Sequence, residues 1–147
     1  MKDKNTNKTK EVKINIRSVQ DGVETSLMVS DGKMTSDKKD NYFIEFDGTE
    51  ICGVSGEKVS FQIDGQDKVV MTTGKRRIIS QIVLEMGVRH HCHYNNEFSD
   101  LITVGISTRK IKSTLNENGG DVEVDYSIEF NNSVASDNQM YMSITKQ

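Results

Sequence analysis

The chain has no proline, no tryptophan and only two cysteines in 147 residues. Without proline, no turn rests on a cis X-Pro bond, so tight turns fall to Gly, Asn and Asp. Cys52 and Cys92 are too few for a disulfide framework, which points to free thiols and a reducing, cytoplasmic setting. No apolar run reaches the ~18 residues of a membrane helix, so no membrane span is expected. The polar start, with lysines at 2, 4, 8 and 10, is not followed by the apolar stretch of a secretory signal. A formal net charge of −3 lacks the basic excess of a general nucleic-acid binder. Residues 1–10 read as a flexible polar tail, and 11–147 as a single domain.

What the chain does have is alternation, the period-two pattern of half-buried strands. Val12, Ile14 and Ile16 alternate with Lys13, Asn15 and Arg17, and Thr25, Leu27 and Val29 continue after Asp21-Gly22. Further runs are Tyr42 to Phe46, Val59 to Ile63, Val69 to Met71, Ile78 to Glu85 and Val88 to Tyr94. Ile102 to Ile106, Lys110 to Leu115, Val122 to Phe130 and Met140 to Ile144 complete the set. Asp-Gly steps at 21, 31, 47 and 64 punctuate these runs as hairpin turns, because both residues tolerate positive φ. Met86-Gly87 and the stretch Asn116 to Gly120 serve two more hairpins. No segment carries an i, i+3, i+4, i+7 apolar stripe long enough for a helix. About ten antiparallel strands with one apolar face predict an all-β sheet closed into a barrel, since closure removes exposed edges.

Two local features sharpen that expectation. Apolar residues occupy even positions through Ile106 and odd ones from Ile111, so either a β-bulge lies between Thr108 and Lys110 or two strands are separated by a loop there. The acidic comb Asp121, Glu123, Asp125 and Glu129 suggests a metal at first sight. A register that faces Ile111 with Val124 or Tyr126 instead sets Lys112 opposite Glu123 or Asp125 as a solvated charge pair. No metal site is expected.

Several segments taken in order resemble the YwiB-like family of uncharacterised bacterial proteins. They are Met71-Thr-Thr-Gly74, Gly87-Val-Arg-His-His-Cys-His-Tyr94 and Thr103-Val-Gly-Ile-Ser-Thr108, then Leu115-Asn-Glu-Asn-Gly-Gly-Asp-Val-Glu-Val-Asp-Tyr126, Ser127-Ile-Glu-Phe-Asn-Asn132 and Asn138-Gln-Met-Tyr-Met-Ser-Ile144. The resemblance implies an up-and-down calycin-like (lipocalin-like) β-barrel of about 8–10 strands, and no assigned activity comes with it. Where relatives show a Thr-Pro-Tyr-Gly-like turn, this chain reads Asn95-Asn-Glu-Phe-Ser-Asp100. The Gly-X-Trp of lipocalins and the Arg-X-Tyr clamp of cytoplasmic fatty-acid carriers are both missing.

Arg89-His-His-Cys-His93 is the most chemical run. In a strand His91 and His93 share one face and His90, Cys92 and Tyr94 the other. Two histidines fall short of the three or four ligands of a zinc site. Taking Val88 as inward-facing places His90 inside and Arg89, His91 and His93 in water. His90, Tyr94 and Tyr126 are then the candidate ligand-binding residues, lining the barrel interior with polar tips around a small apolar or amphipathic molecule. No catalytic acid, base and nucleophile converge by spacing, and no cofactor motif is present. Cys92 shares a face with His90 but reads as an ordinary buried thiol. Lys75, Arg76, Arg77, Arg89, Arg109, Lys110 and Lys112 would make the basic surface of an alternative reading, in which a packed barrel contacts protein or RNA through surface or loops.

Overall fold

The structure is a computed structural model that describes residues 8–37, 40–47, 58–75, 78–95, 101–130 and 133–147. Ten strands account for nearly all of them: β1 Lys8–Gln20, β2 Val23–Ser36, β3 Asn41–Asp47, β4 Lys58–Asp64, β5 Lys68–Lys75, β6 Ile78–Glu85, β7 Arg89–Asn95, β8 Leu101–Ser113, β9 Gly119–Phe130 and β10 Ser133–Lys146. Among the described residues there is no helix. One sheet contains every strand in the order β6-β5-β4-β3-β2-β1-β10-β9-β8-β7. Each strand thus lies beside its sequence neighbours, and β1 and β10 pair along Val12–Gln20 and Asn138–Lys146.

The two ends of that order, β6 and β7, are joined by the two-residue turn Met86-Gly87. They meet at a single bridge, Glu85 to Val88, while Met86 bridges Thr108 of β8. The result is a nearly closed up-and-down barrel whose seam runs between β6 and β7. Residues 86–87 do make the expected turn, but the two strands part beyond it. Val88 lies in the turn and not in the β7 ladder, and it is 41% exposed, which overturns its inward assignment.

Inward-facing side chains form one core: Val12, Ile14 and Ile16 of β1, Ile44 and Phe46 of β3, Val59, Phe61 and Ile63 of β4, and Met140, Met142 and Ile144 of β10 are among its members. Phe46 and Phe61 stack with centroids 6.3 Å apart. Fully burying side chains of this size contributes ~1.5–3 kcal/mol each.

A closed sheet has one inside, so each strand must keep its apolar residues on that face as it bends. Three bulges reset the parity where the sequence slips. In β8 the register jumps between Thr108–Tyr126 and Lys110–Asp125, so Arg109 is the extra residue and 101–113 is one strand. Arg109 Nη2 donates to Asp125 Oδ1 at 2.6 Å and lies 3.2 Å from Asp137 Oδ1, which fixes the bulged residue from outside. In β10 the jump falls between Val134 and Ser136. In β2 it falls opposite Val12 and Ile14, and this corrects the reading of Asp31-Gly32 as a hairpin turn. Leu27 and Val29 face inward at odd positions and Met34 at an even one, so an extra residue is required between them. Gly32 sits there because a Cβ would stand 2.5 Å from Ile14 Cδ1.

Asp21-Gly22 is a true two-residue hairpin turn, with φ of 49° and 87°. Gly65 takes φ 57° after Asp64. The expected Asp47-Gly48 turn, the loop 96–100 and most of the polar tail lie outside the described residues.

The two barrel ends differ. At one end Asp37, Asp40 and the links 65–67, 86–87 and 114–118 are stitched to each other and to the strand termini. Gln66 Nε2 donates to Ser113 O at 2.6 Å while Ser113 N donates to Gln66 Oε1 at 2.8 Å. Lys10 Nζ donates to Glu117 O at 2.8 Å, Met86 N to Asp67 O at 2.9 Å and Gln147 N to Glu11 O at 3.0 Å. The other end carries the Asp21-Gly22 turn.

The core predicts a large cost for truncating an interior ring. Phe61→Ala is expected to lose ~3–5 kcal/mol of unfolding free energy in urea, and Met28→Ala, at a side chain 79% exposed, less than ~0.5 kcal/mol. Equal effects would mean that Phe61 does not belong to a packed core. Deleting Arg109 removes the parity reset and throws Ile111 outward. The deletion is expected to abolish the cooperative urea transition, whereas Arg109→Ala costs only ~1 kcal/mol. A deletion no more harmful than the alanine variant would show that the bulge does not set the register.

Candidate ligand-binding site

Cross-strand pairing arranges the inner face in transverse rows, because directly opposed residues point the same way. One row runs Ile111, Val124, Met140, Ser18 and Thr25 across β8, β9, β10, β1 and β2. The next runs Thr108, Tyr126, Asn138, Gln20 and Val23 across the same strands. A third runs His90, Ile106, Ile128 and Ser136 across β7, β8, β9 and β10. On β1, β2 and β10 apolar lining therefore gives way to polar lining toward the Asp21-Gly22 turn, while β8 and β9 keep Ile106 and Ile128 in the third row.

Over this polar belt lies a cavity of about 480 Å³ lined by Ser18, Gln20, Asp21, Thr25, Tyr126 and Asn138, with Val19, Val23 and Gln139 completing its wall. Asn138 is buried, and its Nδ2 donates to Ser136 Oγ at 2.9 Å. Burial pushes the Tyr126 phenol above its ordinary pKa, so it stays an O–H donor and acceptor through the physiological range. Beside it in the row, Thr108 is buried and its hydroxyl has no hydrogen-bond partner among the described residues. At the rim Asp21 N donates to Asp137 O, and Asp137 N donates back to Asp21 Oδ1, both at 2.9 Å. This reciprocal pair locks the turn onto β10 and holds the mouth in place.

The expected site residues separate. Tyr126 lines the cavity. His90 stands one row away, two strands from Tyr126, at the seam; its Nε2 lies 2.8 Å from Glu85 Oε1 and the ring is partly buried. It ties β7 to β6 and is not part of the cavity wall. Tyr94 pairs with Ile102 in the β7–β8 ladder, but its side chain, like those of Cys92 and His93, lies outside the described residues. Ser18, Thr25, Gln20 and Asn138 were not singled out from the sequence. Their signal was a polar residue at an inward position: Ser18 continues Val12, Ile14, Ile16, and Asn138 precedes Met140, Met142, Ile144.

On the outer face the charges are matched. Arg89 lies over Gly105 and its Nε reaches Glu129 Oε1 at 2.5 Å. Lys110 Nζ lies 3.0 Å from Glu123 Oε2, and Lys112 stands opposite Glu123 in the ladder. Arg89 and exposed His91 share this face, with Arg89 Nη1 3.3 Å from His91 Nε2. Of the acidic comb, Glu123, Asp125 and Glu129 pair with Lys110, Arg109 and Arg89, and Asp121 Oδ1 accepts from the Ser143 hydroxyl at 2.8 Å; among the described residues no group of three His, Cys, Asp or Glu stands close enough to hold a metal. Arg76 and Arg77 lie outside the described residues. Among the described residues no helix is long and apolar enough to cross a membrane.

With this geometry in hand, the comparisons concern the fold. The crystal structure of the ywiB protein from Bacillus subtilis superposes with a TM-score of 0.76 at 14% identity, covering 96% of this chain and 95% of that one. At that identity the likeness is one of fold alone. No curated protein matches the chain. The sequence pattern of a domain of unknown function, DUF1934, matches residues 11–142, nearly the whole barrel, and the chain therefore belongs to the DUF1934 family.

Proposed function

We propose that this protein is a non-enzymatic, calycin-like binding barrel that holds a small amphipathic molecule in the cavity beside Tyr126. The observation that carries the reading is the polar belt inside an otherwise apolar barrel. A cavity of about 480 Å³ falls within the roughly 300–1,000 Å³ of small-molecule sites. A barrel built only to be stable has no use for buried polar groups there, since each costs free energy unless it is paired. The half-satisfied Asn138 amide fits a wall that awaits a polar guest. Ligand contacts are assigned to Tyr126, Asn138, Ser18 and Thr25. His90 is assigned to the seam, where it holds the barrel shut, and Tyr94 stays a candidate contact on β7. Nothing in the wall offers a paired nucleophile and base, which favours binding over catalysis.

A second reading, a surface interaction module, has one observation in its favour. Among the described residues β3 pairs with β2 along Lys33–Ser36 alone, and the outer face of the rest of β2 carries Met28, 79% exposed. Pairing of the outer-face cations with carboxylates weighs against RNA as the partner.

Native mass spectrometry of the protein purified from its own source is the direct test. A discrete small-molecule adduct is expected, and Ser18→Trp, which fills the cavity, is expected to reduce its occupancy at least ~10-fold, a loss of about 1.4 kcal/mol in binding. Absence of any adduct, or an adduct indifferent to Ser18→Trp, counts against a ligand at this end of the barrel.

A further inference from the structure

Resting on that reading of the cavity, we infer that its occupant presents an uncharged, hydroxyl-bearing head, of the polyol or sugar kind, and that carboxylate-headed molecules are rejected. Lining groups decide this. Ser18, Thr25 and Tyr126 supply hydroxyls that both donate and accept, and Gln20, Asn138 and Gln139 supply amides. Such a set matches a head that also donates and accepts at each oxygen.

A carboxylate is acceptor-only and brings a full charge. Taking it out of water is costly unless a cation or several N–H groups meet it. Among the described lining residues there is no Lys, Arg or His. Arg109 passes close by, but on the outer surface, with its guanidinium engaged by Asp125 and Asp137 and by the carbonyl of Tyr126 at 3.4 Å. Arg17 also faces outward, over the ring of Tyr141 at 4.2 Å and 3.3 Å from Glu24 Oε1. The charge the wall does hold is the Asp21 carboxylate at the rim, which repels an anion at the entrance.

A cationic head is disfavoured for a different reason. Asp21 is exposed, so its attraction is screened, and one of its oxygens already accepts the Asp137 N–H. Deeper in, Tyr126 stays protonated and neutral. Its hydroxyl both gives and takes a hydrogen bond. A neutral hydroxyl can meet either demand.

Three probes with the same tail isolate the head: octyl glucoside below its micelle concentration, octanoate and octyltrimethylammonium, each titrated calorimetrically into the full chain. Octyl glucoside is expected to bind at least tenfold more tightly than either ion. Tyr126→Phe and Thr25→Val, which remove one hydroxyl each, are expected to weaken octyl glucoside about fivefold per variant and to leave residual octanoate binding unchanged. Thr25 lies at the exposed rim, so its variant keeps the test intact should Tyr126→Phe disturb folding. Octanoate binding as tightly as the glucoside overturns the head-group assignment while leaving the cavity in place. Equal binding of all three, indifferent to both variants, overturns it as well, because the tail alone would then be recognised. Failure of the glucoside to bind, in a protein that shows its own adduct by native mass spectrometry, refutes the assignment by itself. Failure of all three together with the absence of an adduct removes the cavity reading and this inference at once.

Discussion

The rest of this structure depends on the parity of side chains in a sheet that closes on itself. In an open sheet a slip of one residue exposes one strand's apolar set. In a closed one it would also drive charged side chains into the only interior available. The chain meets this constraint with three bulges, at 30–31, at Arg109 and near 135, on three of its five long strands. The first two coincide with a change in the position of apolar residues, from odd to even in β2 and from even to odd in β8. The Arg109 bulge is secured on the outside by carboxylates and the Gly32 bulge on the inside by Ile14. Register, curvature and the outer charge ladder are thus settled by the same few residues.

Much of this could be read from the amino-acid order. Alternation gave the number and kind of strands, and the even-to-odd change between Ile106 and Ile111 marked Thr108 to Lys110 as the place of either a bulge or a loop, which the structure resolves as a bulge. That Ile111 faces Val124 or Tyr126, and Lys112 an acidic partner on the outside, followed from simple addition of residue numbers, and the structure selects Val124 and Glu123. Asp31-Gly32 misled because an Asp-Gly step serves a tight turn and a bulge equally well. What separates the two is whether the apolar parity flips across the step. It does not flip between Ile16 and a β1–β2 hairpin partner in register, but it does between Val29 and Met34.

The site was less legible than the fold, for a physical reason. A cavity is defined by which rows lie side by side, and rows depend on pairing between strands distant in sequence. Ser18 and Asn138 are 120 positions apart by their numbering, yet they stand in neighbouring rows of adjacent strands. Tyr126 could be proposed because it continues an inward run. His90 was proposed on the same logic, but its inward row ends at the seam, where Glu85 stands in reach. No local pattern announces where a barrel's order begins and ends. Here the break falls at a hairpin, where sequence logic expects the tightest pairing of all.

The asymmetry of the two ends connects fold to function. One end is packed with Ile, Val, Phe and Met and stitched by hydrogen bonds between its links, so the barrel's stability is vested there. That surplus allows the opposite end to carry buried Asn138, Ser136 and an unpartnered Thr108 hydroxyl, groups that would be liabilities in a small domain with a single core. Polar residues at inward positions, Ser18, Gln20, Thr25, Thr108, Ser136 and Asn138, lie on the long strands β1, β2, β8 and β10, and the β1–β2 hairpin runs on well beyond Lys33, where the pairing of β2 with β3 ends. Strand length and polarity therefore change together along one side of the barrel. A scaffold shaped in this way separates the part that must not move from the part that must accommodate something, and it is the coincidence of the two gradients, more than any single residue, that argues for a guest.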